Sequence, residues 1–234
     1  MTMLAELTWE ETQARAADSV LAVPLGSTEQ HGPHLPLGTD TEVAMELARR
    51  LAEARPRVLV APGMAYGASG EHAGFAGTLS IGIDALGRML LELARSADAF
   101  AAVVVVCAHG GNAAALEGAC RLAVAEGRRL LAWTPDRALA AAGTDAHAGR
   151  TETSLLLALR PDAVRRERVV AGDRRPVAEL MASLRAGGIA SVSPNGVLGD
   201  PRGASAAEGE SLLSVMTADL VAVVDALPAV VGRR

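Results

Sequence analysis

Residues 101–112, "AAVVVVCAHGGN", form an unbroken apolar run that ends in a histidine and two glycines. A run without polar alternation predicts a strand buried on both faces, which is typical of a parallel sheet covered by helices. The glycines predict a loop in which the backbone can approach other groups closely. We therefore expect His109 at the carboxyl end of a buried strand.

Similar apolar runs alternate with amphipathic helical patterns along the rest of the chain. The predicted strands are "VLAVPLGS" (20–27), "RVLVAPG" (57–63) and "RRLLAWTP" (128–135), and the predicted helices cover 40–56, 83–100 and 112–127. This alternation predicts an α/β fold with a mostly parallel sheet covered by helices on both faces. We expect a single domain over residues 1–234. Asp40 or Thr41 should cap the helix over 40–56, and Thr8 with Glu11 should form a capping box for a short first helix.

The composition excludes several classes of partner. Of the 234 residues 50% are hydrophobic, which is enough for a sizeable core without disulfides, and the only cysteines are Cys107 and Cys120. The net charge of -5 argues against a nucleic acid or an anionic membrane as partner. No signal peptide or membrane-spanning run is apparent, so we expect a cytoplasmic protein.

Acids and histidines accumulate where predicted strands end. The segment "PLGSTEQHGPHLPLGTD" (24–40) carries Glu29, His31, His34 and Asp40. Glu29 and His31 lie two residues apart, so an extended backbone projects both from one face. Because ligands of open parallel sheets bind outside the carboxyl ends of the strands, these side chains lie where such a fold would place a site.

A second segment, "DAHAGRTETSLLLAL" (145–159), carries His147 and places Glu152 in the first turn of a predicted helix. The combined acids and histidines form a mixed nitrogen and oxygen ligand set, which suits Zn, Mn or Fe(II). Two divalent ions bring four positive charges and three ionised carboxylates bring three negative ones, leaving a single charge that one hydroxide ion would neutralise. This balance favours a pair of ions over one.

Each of these residues also has a plain structural explanation. Asp40 could merely cap its helix, Glu152 could merely complement a helix dipole, and His109 could be a core histidine. However, all five histidines occur in glycine-rich, loop-like segments, and a joint coincidence is harder to accept. The residues themselves therefore indicate a metal-dependent hydrolase, with the structural explanations left open.

Four motifs resemble the creatininase family of binuclear metal amidohydrolases. They are "PLGSTEQHGPHLPLGTD", "YGASGEHAGFAGTLS" (66–80), "HGGN" (109–112) and "HAGRTETS" (147–154), and the match runs from about residue 5 to about residue 225. The resemblance implies a three-layer α/β/α fold and two divalent ions per chain (Zn, Fe(II) or Mn). It further implies metal binding by Glu29, His31, His109 and a bridging Asp40, and a homo-oligomer, commonly a hexamer.

One departure from the family pattern bears on the substrate. Creatinine-hydrolysing members carry a glutamate two residues after the strand-end histidine, where this chain has Gly111. Glu152 is then the obvious carboxylate to complete the ligand set, although the resemblance assigns the matching glutamate of those members near the substrate, which would make it a catalytic residue. Creatinine is an unexpected substrate. The second half of the chain, "HAGRTETSLLLALRPDAVR" with "SPNGVLGDPRGAS", resembles a peptidase subgroup that releases a modified C-terminal Val-Tyr unit from a ribosomal precursor peptide.

Further roles complete the expected amide hydrolysis. His147 should give the leaving amine its proton. Glu71 and His72 should line the substrate pocket, Asn195 and Gly196 should shape its mouth, and His34 should orient a metal ligand. A hydrolase of a small cyclic amide is the alternative enzyme. A metal-dependent structural role remains a rival of another class, whereas a nucleotide-binding module lacks a phosphate loop here.

Overall fold

A computed structural model of the chain describes residues 1–140 and 144–227. The predicted domain 1–234 thus includes two segments, 141–143 and 228–234, that lie outside the described residues. The strands are β1 (Thr2–Met3), β2 (Val20–Leu25), β3 (Val58–Val60), β4 (Ala102–Cys107) and β5 (Leu130–Trp133). The helices are α1 (Trp9–Gln13), α2 (Thr39–Ala54), α3 (Ile83–Ser96), α4 (Ala113–Ala125), α5 (Asp136–Leu139), α6 (Arg150–Leu159), α7 (Val177–Gly187) and α8 (Ala206–Asp225).

The five strands form one parallel sheet in the order β1-β3-β2-β4-β5. Successive residues of a strand point to opposite faces, and the core divides accordingly. Val20 and Val104 pack with α2, α6 and α8 on one face, whereas Leu21 and Val103 pack with α3 and α4 on the other. The predicted α/β fold, with helices on both faces of a parallel sheet, is confirmed.

The register of the two central strands brings the site loops together. β2 and β4 pair along their whole length, with Leu25 opposite Cys107, and the Ala108 amide donates to the Leu25 carbonyl at 3.1 Å. The chain therefore leaves both strands at the same level of the sheet edge. The loop that carries Glu29 and the loop that begins with His109 start side by side.

Two local predictions at helix starts have different outcomes. The capping box of α1 is present, since the Thr8 hydroxyl accepts from the Glu11 amide and the Glu11 carboxylate accepts from the Thr8 amide. The prediction that Asp40 or Thr41 caps α2 is wrong, because the helix begins at Thr39 with Gly38 as its cap. The Asp40 carboxylate is turned instead into the buried cluster beyond the strand ends.

The segment "SVSPNGVLGDPRGASAAEGE" (191–210) is rich in turn-forming residues and predicts a long loop, but this loop ends earlier than expected. Its first part is irregular, but α8 begins at Ala206. Ser205 caps this helix, because its hydroxyl accepts a hydrogen bond from the Glu208 amide. A small apolar group formed by Leu180, Ile189 and Leu198 holds α7 and this loop together. In the described part of the chain no helix is long and apolar enough to cross a membrane.

Candidate metal centre

Acid and imidazole side chains alternate around a closed ring at the carboxyl edge of the sheet. Glu29 Oε2 lies 3.1 Å from His109 Nε2, and His109 Nδ1 lies 3.2 Å from Asp40 Oδ2. Asp40 Oδ1 lies 3.0 Å from His31 Nε2, which is 3.8 Å from a carboxylate oxygen of Glu152. All five metal-binding residues predicted from the sequence therefore lie together.

His147 closes the ring, and His72 adjoins it. His147 Nδ1 lies 3.9 Å from Glu152 Oε2 and 3.8 Å from Glu29 Oε1, while His72 Nε2 lies 3.1 Å from Glu29 Oε1. Three triplets each bring one donor atom per residue within 4.8 Å of the others: Glu29, His31 and Asp40; His31, His147 and Glu152; Glu29, His72 and His147. His72 and His147 are thus near enough to the centre to be ligands as well as pocket residues.

The donor set fits divalent cations. Glu29 is fully buried, yet neither of its carboxylate oxygens has a hydrogen-bond partner among the described residues. A buried carboxylate without a donor is costly unless a cation or proton satisfies it. Imidazole nitrogens and carboxylate oxygens are ligands that Zn, Mn and Fe(II) accept.

The pKa values of His31 and Glu152 show that the charged groups of the ring affect one another strongly. Burial alone would lower the pKa of His31, but the Asp40 carboxylate beside it raises that pKa to about 10. Burial raises the pKa of Glu152 to about 7, against the opposing effect of His31 and with Asp40 adding to the rise. A carboxyl group whose pKa is raised by burial and by a neighbouring carboxylate is one whose charged form a bound cation would stabilise.

Asp40 is the residue that touches both halves of the ring. Its two oxygens face different histidines, and the Ser27 hydroxyl donates to Oδ2 at 2.7 Å. Asp40 lies in the first turn of α2, at the end of the loop that follows β2. Both elements therefore determine where its carboxylate lies. No role was predicted for Ser27, although it lies in the motif "PLGSTEQHGPHLPLGTD".

Gln30 is a second residue that sequence reasoning missed. Its side-chain amide nitrogen lies 2.9 Å from His72 Nδ1 and 3.0 Å from the Gly196 carbonyl, and its backbone carbonyl lies 2.8 Å from His147 Nε2. Since a carbonyl can only accept, this shorter contact favours the tautomer of His147 that carries its hydrogen on Nε2 and leaves the free electron pair of Nδ1 facing the ring. Gly196 has φ +80, and a Cβ there would meet Gln30 Oε1, so a glycine is needed for this close approach.

Asn112 ties together the loops that leave the sheet. Its side-chain oxygen accepts from the Ala68 amide at 2.8 Å, and its amide nitrogen donates to the Gly26 carbonyl at 3.0 Å. Asn112 ends the quoted "HGGN" motif, but no role was predicted for it, because its partners are far away in sequence.

The remaining predicted residues lie around the ring in different ways. Glu71 Oε1 is 3.7 Å from His109 Nε2, at the rim of the site. His34 is buried next to α6, where its Nε2 contacts the Thr153 hydroxyl at 2.8 Å. The Asn195 side chain bonds within its own region, to Ser193, Val197 and Ala171, so its place in substrate binding stays a prediction.

Comparison with known proteins identifies the family. The family described as "Creatininase: Creatinine amidohydrolase" matches residues 5–224. The chain is 52% identical over 210 residues to the mycofactocin precursor peptide peptidase of Mycobacterium ulcerans, covering 86% of this chain and 82% of the relative. It is 33% identical over 199 residues to the creatinine amidohydrolase of Pseudomonas putida, covering 70% and 74%.

Solved structures agree with this assignment. A crystal structure of creatinine amidohydrolase superposes with a TM-score of 0.80 at 27% identity, covering 97% of this chain and 98% of that chain. Two further creatininase structures are named as a Zn-Zn type and as an Mn form. The chain belongs to the creatininase family, and it is a hydrolase. The resemblance predicted from the sequence, including the peptidase subgroup, is confirmed.

Proposed function

We propose that the protein is a metal-dependent peptidase that releases the modified C-terminal Val-Tyr unit of the mycofactocin precursor peptide. The closed ring is the observation that supports metal-dependent amide hydrolysis, because its buried Glu29 carboxylate has no hydrogen bond among the described residues and only imidazole nitrogens, at 3.1 Å, beside it. The names of relatives at 49–52% identity support the peptide substrate.

A small cyclic amide is the alternative substrate, favoured by the identity of 33% to a creatinine amidohydrolase. Gly111 argues against creatinine itself, because the glutamate that creatinine-hydrolysing members carry at this position is missing. The space is also filled: a Cβ at Gly111 would lie 2.4 Å from Glu71 Oε1 and 2.4 Å from His109 Nε2.

The ligand roles follow the two halves of the ring. Glu29, Asp40 and His109 would hold one ion, while His31, Asp40 and Glu152 would hold the other. Bound divalent ions supply water activation at neutral pH and polarisation of the amide carbonyl. The chain itself would provide the proton transfer and the alignment of the substrate.

His147 is the residue placed to move that proton. Its Nδ1 faces the ring, and its Nε2 hydrogen is held by the Gln30 carbonyl. Burial, with His31 and His72 nearby, holds the pKa of His147 well below its ordinary value. Its Nδ1 would be the nitrogen that passes a proton to the leaving amine. Ala148, which follows it, has a left-handed φ of 49 that fixes the direction of the loop.

Metal content is the first test of this proposal. Purified protein should contain about two divalent ions per chain, because the shared Asp40 carboxylate divides the ring into two sets of donors. Chelation should abolish hydrolysis of the precursor peptide and lower the melting temperature, since ions bound only by the folded chain stabilise it. Re-addition of Zn, Mn or Fe(II) should restore both. An active preparation that holds one ion or none, by elemental analysis, contradicts a two-ion centre.

Replacement of His147 tests the proton transfer. His147→Ala should lower turnover by about 100-fold or more while keeping the metal content of the wild type. His31→Ala is the matched comparison in the same ring, and it should lose an ion because His31 contacts two carboxylates. Metal loss in His147→Ala would make His147 a ligand and leave His72 as the next candidate for the proton donor.

A further inference from the structure

Two clefts lie next to the ring, and they share no lining residue. A wide cleft of about 570 Å³ is lined by residues that include Gly70, Glu71, Ile83 and Gly111. A narrow cleft of about 160 Å³ is lined by Gly110, Asp40 and Glu152 together with apolar side chains. The consecutive glycines of the "HGGN" motif therefore line one cleft each.

Each cleft adjoins the ring through different residues. On the wide side, the lining residues Ala68 and Glu71 contact His109, whose Nε2 lies 3.1 Å from the Ala68 carbonyl and 3.7 Å from Glu71 Oε1. On the narrow side, Asp40 and Glu152 are both ring members and lining residues. A linear substrate that occupies both clefts would pass Gly110 and Gly111, where Glu71 and His109 are the side chains nearest to Gly111.

The sizes and linings of the two clefts differ in a way that suits a linear substrate. Cavities of about 300–1,000 Å³ hold ligands of several linked groups, and the wide cleft falls within this range. The narrow cleft is smaller. Leu139, Leu155 and Met216 give it an apolar wall, and its other lining residues include four acids, namely Asp40, Asp136, Asp145 and Glu152. It therefore suits a short unit that is partly apolar and ends in an amine after cleavage, whereas a small cyclic amide would leave the wide cleft unused.

We propose that the wide cleft binds the peptide segment upstream of the scissile amide and that the narrow cleft binds the released C-terminal unit. This inference rests on the proposed peptidase function. Water adds across the amide bond at the glycine crossing, so that the upstream segment leaves as a carboxylate from the wide cleft and the C-terminal unit leaves as an amine from the narrow one.

Glycines that line the clefts permit a test, because a side chain added at one of them would occupy only the cleft that this glycine lines. A Cβ at Gly70, at Gly110 or at Gly118 meets no atom of the described residues within 4 Å beyond its own local backbone. Gly70→Leu fills the wide cleft and Gly110→Leu fills the narrow one. Gly118→Leu adds the same side chain to α4, outside the lining of either cleft, and serves as the matched control.

The experiment compares two substrates, the modified precursor peptide and its C-terminal unit carrying only an acetyl-glycyl group in place of the upstream chain. Gly70→Leu should lower kcat/KM for the long peptide at least tenfold more than for the short substrate. Gly110→Leu should lower both by similar factors, and Gly118→Leu should change neither. Equal effects of Gly70→Leu on the two substrates, or no effect on either, would overturn the assignment of the wide cleft.

A binding measurement separates this inference from the peptidase function. The upstream segment alone, labelled and titrated by fluorescence anisotropy, should bind the wild-type protein and bind Gly70→Leu at least tenfold more weakly. Ile83→Arg, at an exposed position of the same cleft, should weaken it similarly and covers the case in which Gly70→Leu does not fold. Binding without cleavage would refute only the peptidase function, whereas cleavage with unaltered binding in both variants would refute only the cleft assignment.

Discussion

Asp40→Asn is expected to leave the purified protein with less than one divalent ion per chain and to lower amide hydrolysis by at least about 1,000-fold. The two oxygens of Asp40 face His31 and His109, at 3.0 Å and 3.2 Å, so its charge serves both halves of the ring. Loss of metal removes several kcal/mol of transition-state stabilisation, and about 4 kcal/mol corresponds to roughly 1,000-fold in rate. Elemental analysis and a hydrolysis assay on the same preparation measure both effects.

Glu42→Gln is the matched control for this prediction. Glu42 lies two residues further on in the first turn of the same helix, where its carboxylate pairs with Arg160 at 3.2 Å on the surface. Its replacement removes the same charge near the same helix dipole, yet it should retain the metal and the activity. If Asp40→Asn kept both ions, or if Glu42→Gln lost them, Asp40 would not be the shared ligand.

The strand ends of this chain could be predicted because their signal is local. Continuous apolar runs followed by glycine mark β2 and β4, and parallel strands must end at one edge of the sheet. Glu29 and His109 lie in the loops that follow these two strand ends, so the strand pattern alone predicts that they lie close together. The identity of the ring residues was therefore accessible from pattern and chemistry together with the family resemblance.

The contacts that hold the ring in shape depend on partners distant in sequence, and for that reason no local pattern indicated them. Gln30 meets Gly196 and His147 from more than a hundred residues away, and Asn112 reaches Gly26. An amide in such a motif is equally consistent with a turn or a surface loop. The predicted cap of α2 was wrong for a related reason. Aspartate is a common cap residue, but the carboxylate of Asp40 contacts His31 in the ring instead.

The position of Glu71 explains how the chain can dispense with an acid at position 111. The carboxylate of Glu71 lies where a side chain at Gly111 would begin, and burial raises the pKa of Glu71. An added acid there would have to displace both Glu71 and His109. On the His31 side of the ring, the further carboxylate is Glu152, which stands 3.8 Å from His31 Nε2.

Glu152→Gln is accordingly expected to remove one of the two ions, the one on the His31 side, together with hydrolytic activity. Without Glu152 that ion would keep only His31 and a shared Asp40 as protein ligands, and catalytic sites ordinarily supply three. Glutamine keeps the size of the side chain, and its amide oxygen can still accept from the Ala148 amide as Glu152 does at 2.6 Å. Metal titration of the variant should show one strong site where the wild type shows two.

The competing view is that Glu152 only complements the dipole of α6, and the chain contains a direct comparison for it. Glu179 occupies the first turn of α7 at an exposed position, outside the ring. A dipole effect alone predicts that Glu152→Gln and Glu179→Gln both keep full metal occupancy and each lose about 1 kcal/mol of stability or less. A ligand role predicts that only Glu152→Gln changes the metal stoichiometry, while the melting curves of the two chelated variants stay alike. The number of ions bound by this pair of variants therefore decides whether Glu152 completes the centre or merely begins its helix.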